Sequence, residues 1–412
     1  MRLFLHSLRD SYRVLWMIVL GTSIFLVQCN DKMVNTDSAP NDLMVKQNPI
    51  SDNTLLSEPI HDIQKPEAWN GDLVIYAHGY VDPQRPLALP NDEIEGVQVA
   101  TLVKNYGFAY ATTSYPHNGL NGPEAVGDIL DLLQEFVVAN GEPKHVYLIG
   151  VSEGGLITTL TIEQYPQYFT AGVAGCGPIG DFRKQINYFG DFHVLFRYFF
   201  PEIQVGNPRG VRDNIIKLWL RGQLRDKVKR MVALKTEKAL TLLKVAGVPV
   251  ENPNDVEELQ TTIMDLLRYN VLATNDVIER LGGTPFANTP FDNLDRIYSG
   301  TGLDTEDARL NRKVERFDGD ANLLAVLDAQ FQTTGELARP LFTVHTINDQ
   351  IIPFWHETLY QTKVINEGSS AFYQNIPVNR FGHCNFTLEE VNSIFQLLPT
   401  FTQQGNEVVT SR

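Results

Sequence analysis

The sequence predicts an α/β fold, a mostly parallel central sheet flanked by helices, with a large helical cap inserted before the strand that ends near Asp349. Two observations predict the sheet. Short apolar runs alternate with amphipathic helical patterns from residue 73 to 176, the rhythm of parallel strands joined by crossover helices. That rhythm resumes at residue 341. A third observation predicts the insertion: between 178 and 335 only helical periods and turn-rich pieces appear. The chain has 412 residues, 43% of them hydrophobic, enough for a sizeable core.

The elements follow in order. Residues 71–80 read as a buried strand leading into a His-Gly turn, Ala77-His78-Gly79-Tyr80. A helix is expected over 94–106 and a strand over 108–113. Residues 123–140 are amphipathic, with Val126, Ile129, Leu130, Leu133, Phe136 and Val137 on one face. Residues 146–149 read as a strand, 156–165 as a helix and 171–176 as a strand. In the cap, long helices are expected over 224–245 and 256–281, and further helix over 305–316 and 321–333. Strands at 341–347 and 371–378 close the pattern, and a last helix starts at Thr387 with a capping box to Glu390.

The chemistry gathers at Gly150-Val151-Ser152-Glu153-Gly154, a G-x-S-x-G between the strand and the helix. Glycines on both sides let the backbone turn tightly enough to lift Ser152 onto a strained tip. The following helix aims its first N–H groups where charge would develop on an attacked carbonyl. The plain alternative is a Gly-rich turn with a surface serine. The strand before, the helix after and Gly155, which allows close helix–sheet packing, favour a nucleophile. A serine hydroxyl needs a general base, and that base an orienting carboxylate. Asp349 after one strand and His383 in the Gly-flanked loop after the next complete the order Ser152, Asp349, His383. Asp181 and Asp304 compete for the acid role, and His78, His117, His193, His345 and His356 for the base. The oxyanion hole is expected from the backbone N–H groups of Glu153 and Tyr80. The Glu153 carboxylate reads either as a solvated charge at the helix N-terminus or as a substrate contact. The aromatic run over 182–200 reads as core joining cap to sheet, or in part as the wall of an apolar acyl or aryl pocket. Phe189, Phe192 and Phe196 are the candidates for that wall, with His78, unless His78 instead holds its own turn by hydrogen bonding.

The set Ala77-His78-Gly79, Gly150-Val151-Ser152-Glu153-Gly154-Gly155, Asn348-Asp349-Gln350-Ile351-Ile352-Pro353 and Gly382-His383-Cys384 resembles the α/β-hydrolase superfamily over about residues 68–400, cap excluded. Within it the chain is most similar to secreted bacterial serine esterases and prolyl-oligopeptidase-like hydrolases. The resemblance implies a carboxylic-ester hydrolase working through an acyl-enzyme on a small-molecule ester, with a serine peptidase as the alternative. A non-catalytic surface binding protein on the same scaffold is the third reading. No metal-ligand cluster stands out, and the chemistry needs no cofactor. The His-Cys pair also resembles feruloyl esterases and tannases, in which a disulfide links that Cys to one beside the nucleophile. Val151 occupies that place here, so Cys176 would have to play the part.

The ends and the charge bear on location. Arg2, Arg9 and Arg13 precede an apolar run over 14–27, too short for a comfortable membrane span. It ends at Val27-Gln28-Cys29, which resembles a bacterial lipoprotein signal with Cys29 as the lipidated residue. The expected organisation is a signal peptide over 1–28, a flexible polar tether over 29–66, core over 67–177, cap over 178–335 and core over 336–412. Export follows, with membrane contact only through the lipid anchor. The net charge of −15 and the absence of a basic stripe exclude nucleic-acid binding. Three cysteines occur. With Cys29 lipidated, Cys176 and Cys384 are either bridged, as export allows, or two buried free thiols.

Overall fold

The structure, a computed structural model, describes residues 58–289 and 296–410. Seven strands form one sheet: β1 (His61–Gln64), β2 (Leu73–Ala77), β5 (Ala109–Thr113), β6 (Val146–Val151), β7 (Ala171–Gly175), β8 (Leu341–Asn348) and β9 (Tyr373–Phe381). Their spatial order is β1-β5-β2-β6-β7-β8-β9. Every pair is parallel except β1 with β5, so the sheet is the mostly parallel one the sequence predicts.

Helices cover both faces, and strand alternation decides which side chains meet them. On one face Leu73, Ile75, Ala111, Leu148 and Leu341 pack under α2 (Pro123–Asn140), α3 (Glu153–Gln164) and α12 (Trp355–Asn366). On the other, Val74, Tyr76, Tyr147, Val173 and Phe342 pack against α1 (Val99–Asn105) and α13 (Leu388–Thr410). The small residues of β7, Ala-Gly-Val-Ala-Gly, let α3 approach: a Cβ on Gly155 would lie 2.9 Å from the Gly175 carbonyl oxygen.

Several expectations need correction. The stretch expected as tether contains β1, an edge strand fastened by His61, whose ring bridges Asp128 (2.9 Å) and Glu135 (2.7 Å) on α2. Residues 1–57, Cys29 among them, lie outside the described residues. The helix expected from residue 94 starts at Val99, because Glu95 and Gly96 both take positive φ and close a tight hairpin between β3 (Glu93–Ile94) and β4 (Val97–Gln98). No helix among the described residues is long and apolar enough to cross a membrane.

Between β7 and β8 the described residues form eight helices: α4 (Phe182–Phe199), α5 (Asp213–Leu220), α6 (Gln223–Leu234), α7 (Thr236–Val245), α8 (Val256–Leu272), α9 (Thr274–Leu281), α10 (Asp304–Lys313) and α11 (Ala321–Gln330). Two helices expected to be continuous are broken. The first breaks at Lys235, so that Val228 and Val232 before the bend and Leu242 and Leu243 after it enter one core. The second breaks at Ala273. There α8 buries Leu266, Leu267 and Val271 inside the insertion, while Val277 and Leu281 of α9 turn toward the sheet-side core.

Candidate active site

Ser152 sits between β6 and α3 with φ 56°, a left-handed conformation that is uncommon for a residue with a side chain. Bare backbone on either side permits it. A Cβ on Gly150 would lie 2.1 Å from the Gly154 carbonyl oxygen, and one on Gly154 would lie 2.0 Å from that of Ala77. The Ser152 N–H donates to the Gly175 carbonyl at 2.8 Å, tying the tip to β7. Ser152 is the N-cap of α3, yet its hydroxyl makes no capping bond. It lies 2.9 Å from His383 Nε2 instead.

His383 Nδ1 lies 2.7 Å from Asp349 Oδ2. Asp349 is fully buried, and its Oδ1 accepts from the Ile351 and Ile352 N–H groups at 2.8 and 2.9 Å. Burial by itself would push this carboxyl up. The charges of His383 and His345 and the hydrogen bond from His383 overcome that and hold it well below the usual carboxylate range. The structure thus brings together three residues drawn from positions 152, 349 and 383. Asp181 and Asp304 lie elsewhere: Asp181 caps α4 by accepting from the Lys184 N–H, and Asp304 opens α10. His117, His193 and His356 take other partners: Asn118 O, Val205 O and Gln185 Oε1 respectively.

The turn after β2 presses on the serine, for a Cβ on Gly79 would lie 3.1 Å from Ser152 Cβ. Tyr80 and Glu153 both line the cleft that Ser152 opens into. Among the described residues no acceptor takes the backbone N–H of either. Two unclaimed backbone donors therefore belong to residues that share the cleft with Ser152.

The cleft encloses about 120 Å³ and is lined mainly by apolar side chains, among them Phe182, Phe189, Tyr269, Val277, Phe286 and Ile352. Most of its wall comes from α4, α8 and α9. Of the aromatic candidates only Phe189 lines it. Phe192 and Phe196 are fully buried in the insertion core instead. His78 is not part of the wall either. Its ring stacks on Tyr115 with centroids 4.1 Å apart, and its Nδ1 lies 2.7 Å from the Gly79 carbonyl, so it holds its own turn. Glu153 is no solvated charge: its side chain is buried, Oε1 accepts from the Asn121 N–H at 2.8 Å and Oε2 has no partner. Burial, with Asp276 adding to it, outweighs the Asn121 bond and raises this carboxyl to about 8.

Cys176, directly after β7, and Cys384, directly after His383, form a disulfide with Cα atoms 5.5 Å apart. Of the two readings of these thiols, the bridged one holds. Cys384 Sγ lies 3.6 Å from His383 Nε2, so the bridge lies against the imidazole. Sequence reasoning missed two further groups behind Asp349. They are His345, fully buried with Nε2 3.4 Å from Asp349 Oδ2, and Glu357, whose Oε1 lies 2.8 Å from His345 Nδ1. The available signal was a histidine sharing a strand face with Thr343, two residues away on the same strand.

No family model matches the chain, and no curated protein sequence does. Solved structures are similar in fold. Feruloyl esterase B from Aspergillus oryzae shares 14% identity over 81% of this chain and 72% of its own, with a TM-score of 0.43. An esterase from the same organism shares 16% over 80% and 70%, with a TM-score of 0.41. The Pyrococcus horikoshii acylaminoacyl peptidase shares 11% over 83% of this chain and 41% of its own, with a TM-score of 0.36. Likeness this distant assigns neither reaction nor substrate.

Proposed function

From the α/β-hydrolase fold that this chain has, we propose a serine hydrolase that cleaves a carboxylic ester with a compact apolar or aromatic acyl group. One observation carries the reading. The His383 ring joins a strained, half-buried serine hydroxyl at 2.9 Å to a buried aspartate at 2.7 Å, one through each nitrogen. In the mechanism His383 Nε2 takes the Ser152 proton as Oγ attacks the ester carbonyl. Asp349 fixes the tautomer that leaves Nε2 free to accept and stabilises the imidazolium. The oxyanion faces the Glu153 and Tyr80 N–H groups and the positive end of α3. Collapse passes the proton from His383 to the departing alkoxide. Water then attacks the acyl-enzyme by the same route in reverse.

The acyl class is argued from the cleft. A space of about 120 Å³ takes one ring or a short chain, since an engineered apolar cavity of about 150 Å³ holds a benzene. The N-terminal pattern supports export and anchoring through Cys29, and the eight-helix insertion supports a cap over the serine.

A short p-nitrophenyl ester and a prolyl p-nitroanilide test the reading. Ester turnover without anilide turnover is expected, and Ser152→Ala should lower it by at least about 10⁴-fold with an unchanged melting temperature. Anilide turnover alone would assign a peptidase. No turnover and no labelling of Ser152 by a fluorophosphonate would leave a binding protein.

A further inference from the structure

We propose that His345 is a positively charged positioning residue behind the triad, an imidazolium held between Glu357 and Asp349 that offsets part of the pull of Asp349 on His383. The inference rests on the triad reading above and adds to it a second imidazole on the same aspartate.

Hydrogen-bond accounting shows the charge. His345 Nε2 lies 2.8 Å from the Ile352 carbonyl oxygen, which can only accept, so Nε2 carries a proton. Nδ1 lies 2.8 Å from Glu357 Oε1. The other Glu357 oxygen accepts from Thr343 Oγ1 (2.6 Å), Tyr373 OH (2.9 Å) and Asn375 Nδ2 (2.8 Å), the load of a carboxylate. An acceptor therefore faces each ring nitrogen, and a neutral imidazole could serve only one. Asp349 Oδ2, 3.4 Å from Nε2, is a second anion beside the same ring. Burial would push this imidazole down, but the hydrogen bonds and charges of Asp349 and Glu357 prevail and raise it to about 10.

The remaining neighbours leave that balance intact. His356 on α12 is fully buried and held well below the ordinary histidine range, so it is neutral. Its Nδ1 accepts from the Gly180 N–H at 3.0 Å and its Nε2 donates to Gln185 Oε1 at 2.9 Å. Phe354 meets His345 edge to face at 5.7 Å, and Tyr373 on β9 spends its proton on Glu357. The line through the site is Glu357 anion, His345 cation, Asp349 anion, His383, Ser152. A carboxylate shared between two imidazoles stabilises a proton on His383 less than one serving it alone. The cation at His345 thus offsets part of the pull of Asp349 on the His383 ring.

The test uses the full chain. With ¹⁵N-labelled histidine, NMR should show one imidazolium whose two nitrogens stay protonated from pH 6 to 9 and whose signal disappears in His345→Gln. Glu357→Gln removes the carboxylate that holds the second proton while keeping the side chain's shape. Its acid limb for fluorophosphonate labelling should then move up by about half to one pH unit, slowing labelling at pH 6 by roughly three- to tenfold. A merely structural role for Glu357 would scale the rate equally at every pH, and that result would overturn the proposal. A neutral His345 at pH 7 in the unaltered protein would overturn it without any variant, should Glu357→Gln fail to fold. No labelling of the unaltered protein would sink the triad reading itself, while the NMR would still report the charge on His345.

Discussion

Ser152 sits where backbone meets backbone, whereas His383 rides on a loop tied down by side chains and one covalent bond. At the elbow there is no space even for a methyl group at residue 150 or 154, and the tip is fixed to β7 through the Gly175 carbonyl. The histidine loop is held from outside. Thr346 Oγ1 donates to the Gly382 carbonyl at 2.6 Å, and Arg380 donates to the Asn385 carbonyl (2.8 Å) and Glu390 (2.7 Å). Cys384 is bound to Cys176. The elbow cannot shift without opening the sheet, so its geometry and the fold stand or fall together. The loop can loosen while the sheet stays intact.

Gly154→Ala is the strongest way to break this contrast. The added methyl would meet the Ala77 carbonyl oxygen at 2.0 Å, a backbone atom of a central strand. A loss of roughly 3–5 kcal/mol in thermal unfolding is expected, with activity lost alongside the fold. A melting temperature like that of the unaltered protein would show the elbow to be less rigid than described.

The double substitution Cys176→Ser with Cys384→Ser probes the other side. The bridge closes a separation of 208 residues, and its removal should cost about 2–4 kcal/mol. Ester turnover should fall further than the fold suffers, by roughly ten- to a hundredfold at a temperature where the protein remains folded. Circular dichroism beside kinetics measures both. Equal loss of fold and rate would erase the distinction between the two regions.

Glu153→Gln sharpens the contrast by changing charge at the elbow without changing shape. The carboxyl keeps its proton to about pH 8 in the folded protein, against 4.5 as its ordinary value. The native state therefore holds a proton that the unfolded chain gives up, and stability declines as pH rises through that window. The glutamine variant should lack this decline, as melting temperatures at pH 6 and pH 9 would show. Its turnover should also escape the few-fold fall expected of the unaltered protein above pH 8, where an ionised Glu153 opposes the oxyanion.

The same contrast explains what was legible in the sequence. The elbow is local: glycines two residues either side of a serine, a strand before and a helix after, all within twelve residues. The order of Asp349 and His383 after successive strands was legible too, because each follows an apolar run. What depends on packing from afar was not. Lys235 and Ala273 carry no breaker signal, and the chain bends there only to put both helix halves into cores assembled elsewhere. His61–Gln64 is a polar tetrapeptide whose strand exists because β5 offers an edge. Phe192 and Phe196 could not have been separated from Phe189 by helical period, because Phe196 returns to within about 20° of Phe189 two turns on, and only the other inserted helices put it in their core. The states of Glu153 and His345 were not legible, because they depend on Asn121, Asp276 and Glu357, which only the folded chain brings near.

The Cys176–Cys384 bond also closes a ring of chain around the helical insertion. A protease nick anywhere in those helices yields two fragments, one carrying the serine and the other the aspartate and histidine, that remain one molecule until a reductant parts them. Wherever peptidases are common and thiols scarce, that ring is a form of damage tolerance.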